Sequence, residues 1–89
     1  MLTDNIEIIN QLGLHARAAA KLVATTSKFE SKINLSKDSK TVDGKSIMSV
    51  MMLAASIGTI LTVTVEGADE NNAMEAIKEL INDKFGEES

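Results

Sequence analysis

The chain has no cysteine, proline, tryptophan or tyrosine, and only two of its 89 residues, Phe29 and Phe85, are aromatic. The lack of cysteine excludes a disulfide framework and a thiolate metal site, and it is compatible with a reducing cytoplasm. The shortage of aromatic residues removes the platforms on which nucleobases stack. The chain has nine Lys and Arg residues and 13 Asp and Glu residues, which gives a net charge of -4. It contains no cluster of basic residues that could bind a phosphate backbone. We therefore predict a cytoplasmic protein that does not bind nucleic acid.

Long apolar tracts are also missing. No stretch of the sequence is long enough to cross a bilayer, and the first residues lack the basic region and apolar core of a secretory signal. The length allows only one hydrophobic core, so we predict a single domain over residues 1–89. The sequence offers no cluster of metal ligands, and we expect neither a metal nor a cofactor. We expect a monomer that does not insert into a membrane.

Hydrophobic periodicity predicts four strands and three helices. The strands are predicted at residues 5–8, 32–36, 40–42 and 59–66, where polar and apolar residues alternate. The helices are predicted at residues 16–27, within the apolar run 47–53, and from residue 70 to about residue 85. Ser46 and Asp69 occupy the N-cap positions of the second and third helices. The last four residues, 86–89, are predicted to be frayed.

The arrangement of these elements follows from their patterns. Because apolar residues lie on one side of each strand, the sheet should be antiparallel, with helices on a single face. The order β-α-β-β-α-β-α favours a right-handed first unit whose two strands are separated by a gap that the last strand fills. The sequence therefore predicts an open-faced two-layer α/β sandwich, in which a four-stranded antiparallel sheet has the strand order 1-4-2-3.

The only histidine, His15, stands directly before the alanine-rich first helix. An imidazole can act as a nucleophile near neutral pH. A helix that begins at Ala16 would direct its unpaired N–H groups, and the positive end of its dipole, towards the group that His15 carries. Arg17 adds a guanidinium whose forked geometry fits phosphate oxygens. These neighbours indicate a histidine that carries a phosphoryl group; a simple surface or helix-capping histidine is the alternative.

Residues 13–17, Gly-Leu-His-Ala-Arg, are followed by two further alanines at 19 and 20 and resemble the active-site signature of the HPr family. This family comprises the histidine-containing phosphocarrier proteins of the bacterial phosphotransferase system. The likeness covers nearly the whole chain, and residues 44–51 resemble the regulatory-serine segment of the family. One departure is Ala18, where family members usually have proline. Because alanine is the best helix former, the start of the helix should tolerate this change.

The resemblance implies a chemical role for the site. Nδ1 of His15 would accept a phosphoryl group from enzyme I, in a phosphoenolpyruvate-dependent reaction, and pass it to an enzyme IIA-type protein. Arg17 and the backbone N–H groups of Ala16 and Arg17 would stabilise the charge of the transferring group. We expect His15 to be exposed to solvent, so that a partner's histidine can approach in line. The protein would then be a phosphoryl carrier and not an enzyme.

The second helix gives two further expectations. Ser46 is an N-cap, and the resemblance adds a regulatory role as the target of an HPr kinase/phosphorylase. The helix carries more apolar residues than one face can use, so part of the set Ile47, Met48, Met51 and Met52 should lie in the core. The resemblance also implies that partners dock on the first and second helices. The predicted interface consists of Ala16, Arg17, Ala20, Ala24, Ser27, Ile47, Met48 and Met51.

The resemblance implies a role in sugar uptake, and other functions compete with that role. A nitrogen-branch or purely regulatory HPr-like protein would bind a transcription factor or a kinase instead. The pair Lys45 and Ser46 favours an HPr that a kinase recognises, whereas His15 and Arg17 weigh against a solely regulatory role. An acyl-carrier-like protein would need a helical bundle and an Asp-Ser-Leu attachment site, and the sequence has neither.

Overall fold

The strands and α-helices follow one another in the order β-α-β-β-α-β-α in a computed structural model that describes residues 1–89. The strands are β1 (Leu2–Glu7), β2 (Lys32–Lys37), β3 (Lys40–Asp43) and β4 (Ile60–Glu66). The α-helices are α1 (Ala16–Thr26), α2 (Ile47–Met51) and α3 (Glu70–Asn82), and a 3-10 turn, Lys84–Gly86, follows α3. The predicted order of elements is confirmed, although β1 begins earlier and α3 ends earlier than predicted. None of the helices is both long enough and apolar enough to cross a membrane.

The four strands form one antiparallel sheet with the order β1-β4-β2-β3, which confirms the predicted topology. The strand β4 lies between β1 and β2: Val65 is paired with Leu2 on one side and with Ile33 on the other. Along β4, Val63 and Val65 are completely buried, whereas Thr64 is half-buried on the opposite face. The strict alternation of β4 thus places one apolar face of the sheet against the helices.

Twenty buried apolar residues form a single core cluster between the sheet and the helices. Both long helices contribute a stripe to this core. The buried residues of α1 are Ala18, Ala19, Leu22, Val23 and Thr26, and those of α3 are Ala73, Met74, Ile77 and Ile81. Ala18, the departure from the family pattern, is fully buried, and the helix begins at Ala16 as predicted.

The short helix α2 contradicts one prediction. Its only buried residue is Val50, and the four apolar residues Ile47, Met48, Met51 and Met52 are all exposed. The expectation that part of this set lies in the core is therefore wrong. A helix of five residues can turn little more than one side chain inward, and Leu53 and Ala55, which follow it, fill the core at this place.

The start of α3 differs from the prediction in its capping. Asp69 occupies the N-cap position, but its side chain makes no capping hydrogen bond. The carboxylate instead accepts hydrogen bonds from the backbone N–H groups of Glu30 and Ser31, at 2.9 and 3.0 Å, and from the hydroxyl of Ser31. Asp69 therefore ties α3 to the turn before β2, because that turn has free N–H donors within reach.

The residues after α3 are ordered by contacts with the rest of the fold. Lys84 and Phe85 adopt a positive φ of 56°, so the chain leaves the axis of α3 and turns back. Phe85 is fully buried, and its carbonyl accepts a hydrogen bond from Lys21 Nζ at 2.6 Å. The N–H of Gln11 donates to the carbonyl of Ser89 at 2.7 Å. The prediction that residues 86–89 are frayed is therefore wrong, and we call residues 84–89 the closing segment.

Candidate functional site

His15 is the N-cap residue of α1. Its backbone is extended, with φ -73° and ψ 177°, and its carbonyl accepts the first helical hydrogen bond from Ala19 at 2.8 Å. The imidazole makes no capping hydrogen bond, and the N–H groups of Ala16 and Arg17 have no partner. The start of α1 therefore presents free donors and the positive end of the helix dipole next to His15.

The loop that delivers His15 is held by a glycine. Gly13 has a φ of +68°, and a Cβ atom at this position would lie 2.5 Å from the carbonyl oxygen of Ala55. The next residue, Leu14, donates its N–H to the same oxygen at 2.8 Å and is buried. Only glycine combines this backbone conformation with so close an approach, so the loop is pinned to the segment that follows α2.

The imidazole of His15 contacts the closing segment. Its Nε2 atom is hydrogen-bonded to Oε2 of Glu87, whereas Nδ1 makes no hydrogen bond with the protein. Only 29% of the His15 side chain is exposed. The expectation that His15 is exposed to solvent therefore needs correction: the side chain is only partly exposed, because Glu87 covers the Nε2 edge of the ring.

Glu87 is itself held by a buried amide. Its second oxygen, Oε1, accepts from Asn10 Nδ2 at 3.0 Å, and the same Nδ2 donates to the carbonyl of Gly13 at 2.8 Å. Both atoms near this nitrogen are acceptors, which fixes the orientation of the amide. The hydrogen bonds from Asn10 and His15 lower the pKa of Glu87, although desolvation opposes them. The carboxylate is therefore ionised at neutral pH and can only accept hydrogen bonds, so the proton in its contact with His15 belongs to Nε2.

The remaining predicted residues of α1 lie at its surface. Arg17 is exposed and makes neither an ion pair nor a hydrogen bond within the chain. Four small residues extend this exposed side of the helix: Ala16, Ala20, Ala24 and Ser27. Because their side chains are short, they leave the helix surface open to close approach.

The helices α1 and α2 pack against each other in opposite directions. Thr26, at the end of α1, donates its hydroxyl to the carbonyl of Gly44 at 2.7 Å, just before α2 begins. At the other end, the loop before α1 contacts Ala55 through Leu14. The start of α2 therefore lies beside the end of α1, and the segment after α2 lies beside the start of α1.

Ser46 is the N-cap of α2, as predicted. Its hydroxyl accepts a hydrogen bond from the N–H of Ser49 at 3.3 Å, and the residue is half-buried. It follows Gly44, which contacts the C-terminal end of α1, whereas His15 lies at the N-terminal end of that helix, which is about 16 Å long. The preceding Lys45 is held by its Nζ, which donates to the carbonyl of Phe29 at 2.7 Å. The exposed sides of α1 and α2 together form what we call the α1–α2 surface, and the two residues predicted to carry phosphate lie at its opposite ends.

The exposed apolar residues of α2 and of its C-cap form what we call the methionine face, which consists of Ile47, Met48, Met51 and Met52. Its four members lie at helical spacings of three and four residues, which places them on one side. Their exposed fractions are 42% for Ile47, 73% for Met48, 40% for Met51 and 62% for Met52. Methionine side chains adapt to surfaces of different shape, and such a face suits a protein that meets several partners.

Sequence reasoning missed Asn10, Glu87 and the exposure of Met52. Glu87 lies 72 residues from His15 in the sequence, and no local pattern connects the two. The apolar Phe85 within an otherwise polar end of the chain was the one available signal that this segment returns to the core.

Comparison with known proteins is consistent with this architecture. The family model described as the PTS HPr component phosphorylation site matches residues 2–83. The phosphocarrier protein HPr of Neisseria meningitidis serogroup A is 53% identical over 87 residues, which cover 98% of each chain. The crystal structure of HPr-C-His from Thermoanaerobacter tengcongensis superposes with a TM-score of 0.96 at 49% identity and covers 100% of both chains. A crystal structure of an HPr dimer from the same organism matches with a TM-score of 0.79 at 49% identity, over 98% of this chain and 100% of that one. The chain belongs to the HPr family of phosphocarrier proteins of the phosphotransferase system.

Proposed function

We propose that this chain carries a phosphoryl group on Nδ1 of His15, which it accepts from a phosphoenolpyruvate-dependent enzyme I and passes to an enzyme IIA-type protein. The observation that supports this role most strongly is the start of α1. A ring nitrogen without a protein partner stands there beside N–H groups that are also without partners. A phosphoryl group brings three oxygens that can accept such donors.

We propose that Arg17 and the N–H groups of Ala16 and Arg17 stabilise the phosphoryl group during its transfer. Negative charge in such a reaction is spread over the equatorial oxygens, and fixed donors lower the barrier most where that charge develops. Arg17 has no ion pair in the free protein, so its guanidinium does not have to leave a partner in order to bind the phosphoryl oxygens.

The α1–α2 surface is the site that we propose for the docking of partners. We propose that Ala16, Ala20, Ala24 and Ser27 on α1, together with Ile47, Met48 and Met51 of the methionine face, contact enzyme I and the enzyme IIA-type acceptor in turn. Two partners of different shape must use the same surface, and flexible methionine side chains suit that requirement.

We propose that Ser46 is a regulatory phosphorylation site for an HPr kinase/phosphorylase. A phosphate at the start of a helix is compatible with the fold, because the helix dipole favours negative charge there. The same charge would border the methionine face and hinder an acidic partner. Phosphorylation at Ser46 would therefore act on docking and leave the chemistry of His15 intact.

We propose that the chain acts as a single domain over residues 1–89, as a cytoplasmic monomer in sugar uptake, without a metal or a cofactor. One continuous core supports the single domain. An HPr from Thermoanaerobacter tengcongensis has been crystallised as a dimer. Light scattering at micromolar concentration distinguishes the two states, and a stable dimer in solution would overturn the proposal of a monomer.

Labelling tests the proposed function directly. Enzyme I and phosphoenolpyruvate should transfer one phosphoryl group to the chain, through a bond that is labile in acid and stable in base. His15→Ala should accept none. If that variant accepts the same label, the proposal is wrong.

A further inference from the structure

We infer that Glu87 is a positioning residue that holds the proton of His15 on Nε2 and so leaves the lone pair of Nδ1 free for the phosphoryl group. This inference rests on the proposed function. Glu87 lies outside residues 2–83, which the family model matches. It belongs to the closing segment.

The two carboxylate oxygens of Glu87 serve different donors. Oε2 accepts from the imidazole of His15, and Oε1 accepts from Asn10 Nδ2 at 3.0 Å. Asn10 is fully buried and also donates to the carbonyl of Gly13, in the loop that leads to His15. The carboxylate is therefore oriented by a buried group of the same loop that presents the imidazole. Such an arrangement fixes the angle of the ring as well as the position of its proton.

The backbone on both sides of Glu87 is anchored. Before it, Phe85 is fully buried and its carbonyl is bound by Lys21. After it, the carbonyl of Ser89 accepts from the N–H of Gln11 at 2.7 Å. The side chain of Glu87 is only 19% exposed. These contacts hold the carboxylate against the imidazole and distinguish it from a mobile surface charge.

With the proton on Nε2, every bond and electron pair in the transfer can be accounted for. In the neutral ring, a proton on Nε2 leaves Nδ1 as the nucleophilic nitrogen. As the lone pair of Nδ1 forms the new N–P bond, the N–P bond of the donor histidine breaks and its electron pair returns to the donor nitrogen. Nε2 keeps its proton, so the phosphorylated ring is cationic, and the adjacent carboxylate of Glu87 stabilises that charge. Onward transfer returns the N–P electron pair to Nδ1 and the ring becomes neutral again.

Nitrogen NMR of the full chain tests the placement of the proton. At about pH 8.5, above the usual titration range of imidazole, the ¹⁵N shifts of His15 should show one form, with hydrogen on Nε2 only. In Glu87→Ala the two shifts should move towards each other, because both tautomers become populated. The matched control is Glu88→Ala, which removes an exposed carboxylate next in sequence and should leave the shifts unchanged. Unchanged shifts in Glu87→Ala would overturn the inference.

Single-turnover transfer from phosphorylated enzyme I tests the consequence. Glu87→Ala should slow transfer by about tenfold, the scale at which loss of a supporting hydrogen bond affects an oriented ligand or reacting group. The transfer rate of Glu87→Gln should lie between those of Glu87→Ala and the wild type. Glutamine keeps one acceptor oxygen but loses the charge, and that oxygen must be shared between two donors. Equal rates for Glu87→Ala and Glu88→Ala would also overturn the inference.

The two proposals fail in different ways. If the wild-type chain is not labelled at His15, the proposed function is wrong, whereas the NMR result still decides whether Glu87 places the proton. If the wild-type chain is labelled and the loss of Glu87 changes neither the ring nor the rate, only the positioning role is wrong.

Discussion

The helices α1 and α2 both follow an N-cap residue that is proposed to carry phosphate. His15 and Ser46 both have extended backbones and both occupy the N-cap position. The hydroxyl of Ser46 caps its helix by accepting from Ser49, whereas the imidazole of His15 caps nothing and contacts Glu87. The N-cap side chain therefore stabilises the start of α2, whereas at α1 it makes no hydrogen bond with the helix.

The lengths and burial of the two helices explain this difference. The helix α1 has 11 residues and a buried stripe that includes Leu22, so packing stabilises it without a side-chain cap. The helix α2 has five residues, of which only Val50 is buried, so it depends more on its capping hydrogen bond. A long amphipathic helix can therefore leave its first N–H groups unpaired and available to a ligand, while a very short one benefits from capping them.

The largest expected effect is on transfer at the start of α1. Arg17→Ala should slow phosphoryl transfer by about ten- to a thousandfold, the scale of losing one group that stabilises charge. Because Arg17 is exposed and unpaired, the midpoint of thermal unfolding should stay the same. Single-turnover kinetics and thermal unfolding of the same sample check both parts. An unchanged rate would make Arg17 a solvated surface residue.

At the start of α2, a negative charge should weaken docking and leave the fold intact. Aspartate is a good N-cap, so Ser46→Asp should change thermal stability little. Its charge beside the methionine face costs desolvation against a partner and repels acidic groups, so the KM for this protein in the enzyme I reaction should rise about tenfold. Added salt should reverse part of the rise.

The control for that variant is Ser46→Ala, which removes the hydroxyl without adding charge. It should transfer phosphate almost normally. Equal affinity of the Asp and Ala variants for enzyme I would leave Ser46 with a capping role only.

The two helix starts should also differ in their contribution to stability. Ser46→Ala should lower the free energy of unfolding by about 1 kcal/mol, since a capping hydrogen bond is lost. His15→Ala should cost less, because the imidazole makes no capping hydrogen bond. Urea denaturation of the two variants and the wild type measures the difference. A larger loss in His15→Ala would mean that the contact with Glu87 holds the start of α1 in place.

The smallest effect is on the stability of the folded state at acid pH. Hydrogen bonds from Asn10 and His15 hold the pKa of Glu87 below the ordinary glutamate value of 4.5. The unfolded chain therefore binds this proton at a higher pH than the folded chain does. The contribution of Glu87 to stability is present above about pH 4.5 and is lost as the pH falls through the lower pKa of the folded state.

Glu87→Gln should accordingly reduce the loss of Tm between neutral and acid pH. Glu88→Gln serves as the matched control, because Glu88 is exposed and makes no hydrogen bond. Identical pH profiles for the two variants would show that Glu87 does not stabilise the folded state through its charge.

Features that depend on residues close together in the sequence could be predicted, whereas features that depend on contacts between distant residues could not. Alternation such as that of Leu61, Val63 and Val65 is local and was sufficient to predict the strands; the order of the elements and the right-handed crossover then gave the order of the sheet. The N-cap position of Ser46 also follows from neighbours in the sequence. The exposure of the methionine face could not be predicted, because the burial of a five-residue helix is decided by the residues that pack beneath it.

The contact between Glu87 and His15 was even less predictable from neighbouring residues in the sequence. It requires Lys84 and Phe85 to adopt a positive φ, a conformation that side-chain preferences alone disfavour. Burial of Phe85 in the core stabilises this turn, so the cause lies in tertiary packing. Polar residues at the end of a chain are usually mobile, and that expectation failed here because one aromatic residue anchors the segment.

The proposed function depends above all on a phosphoryl group that is carried on Nδ1 of His15. The most direct measurement is a ³¹P–¹⁵N NMR correlation of the chain after labelling by enzyme I and phosphoenolpyruvate. We expect one phosphorus atom, coupled to Nδ1 of His15, with the proton still on Nε2. A phosphorus atom bonded to Nε2 or to any other residue, or no label at all, would contradict it.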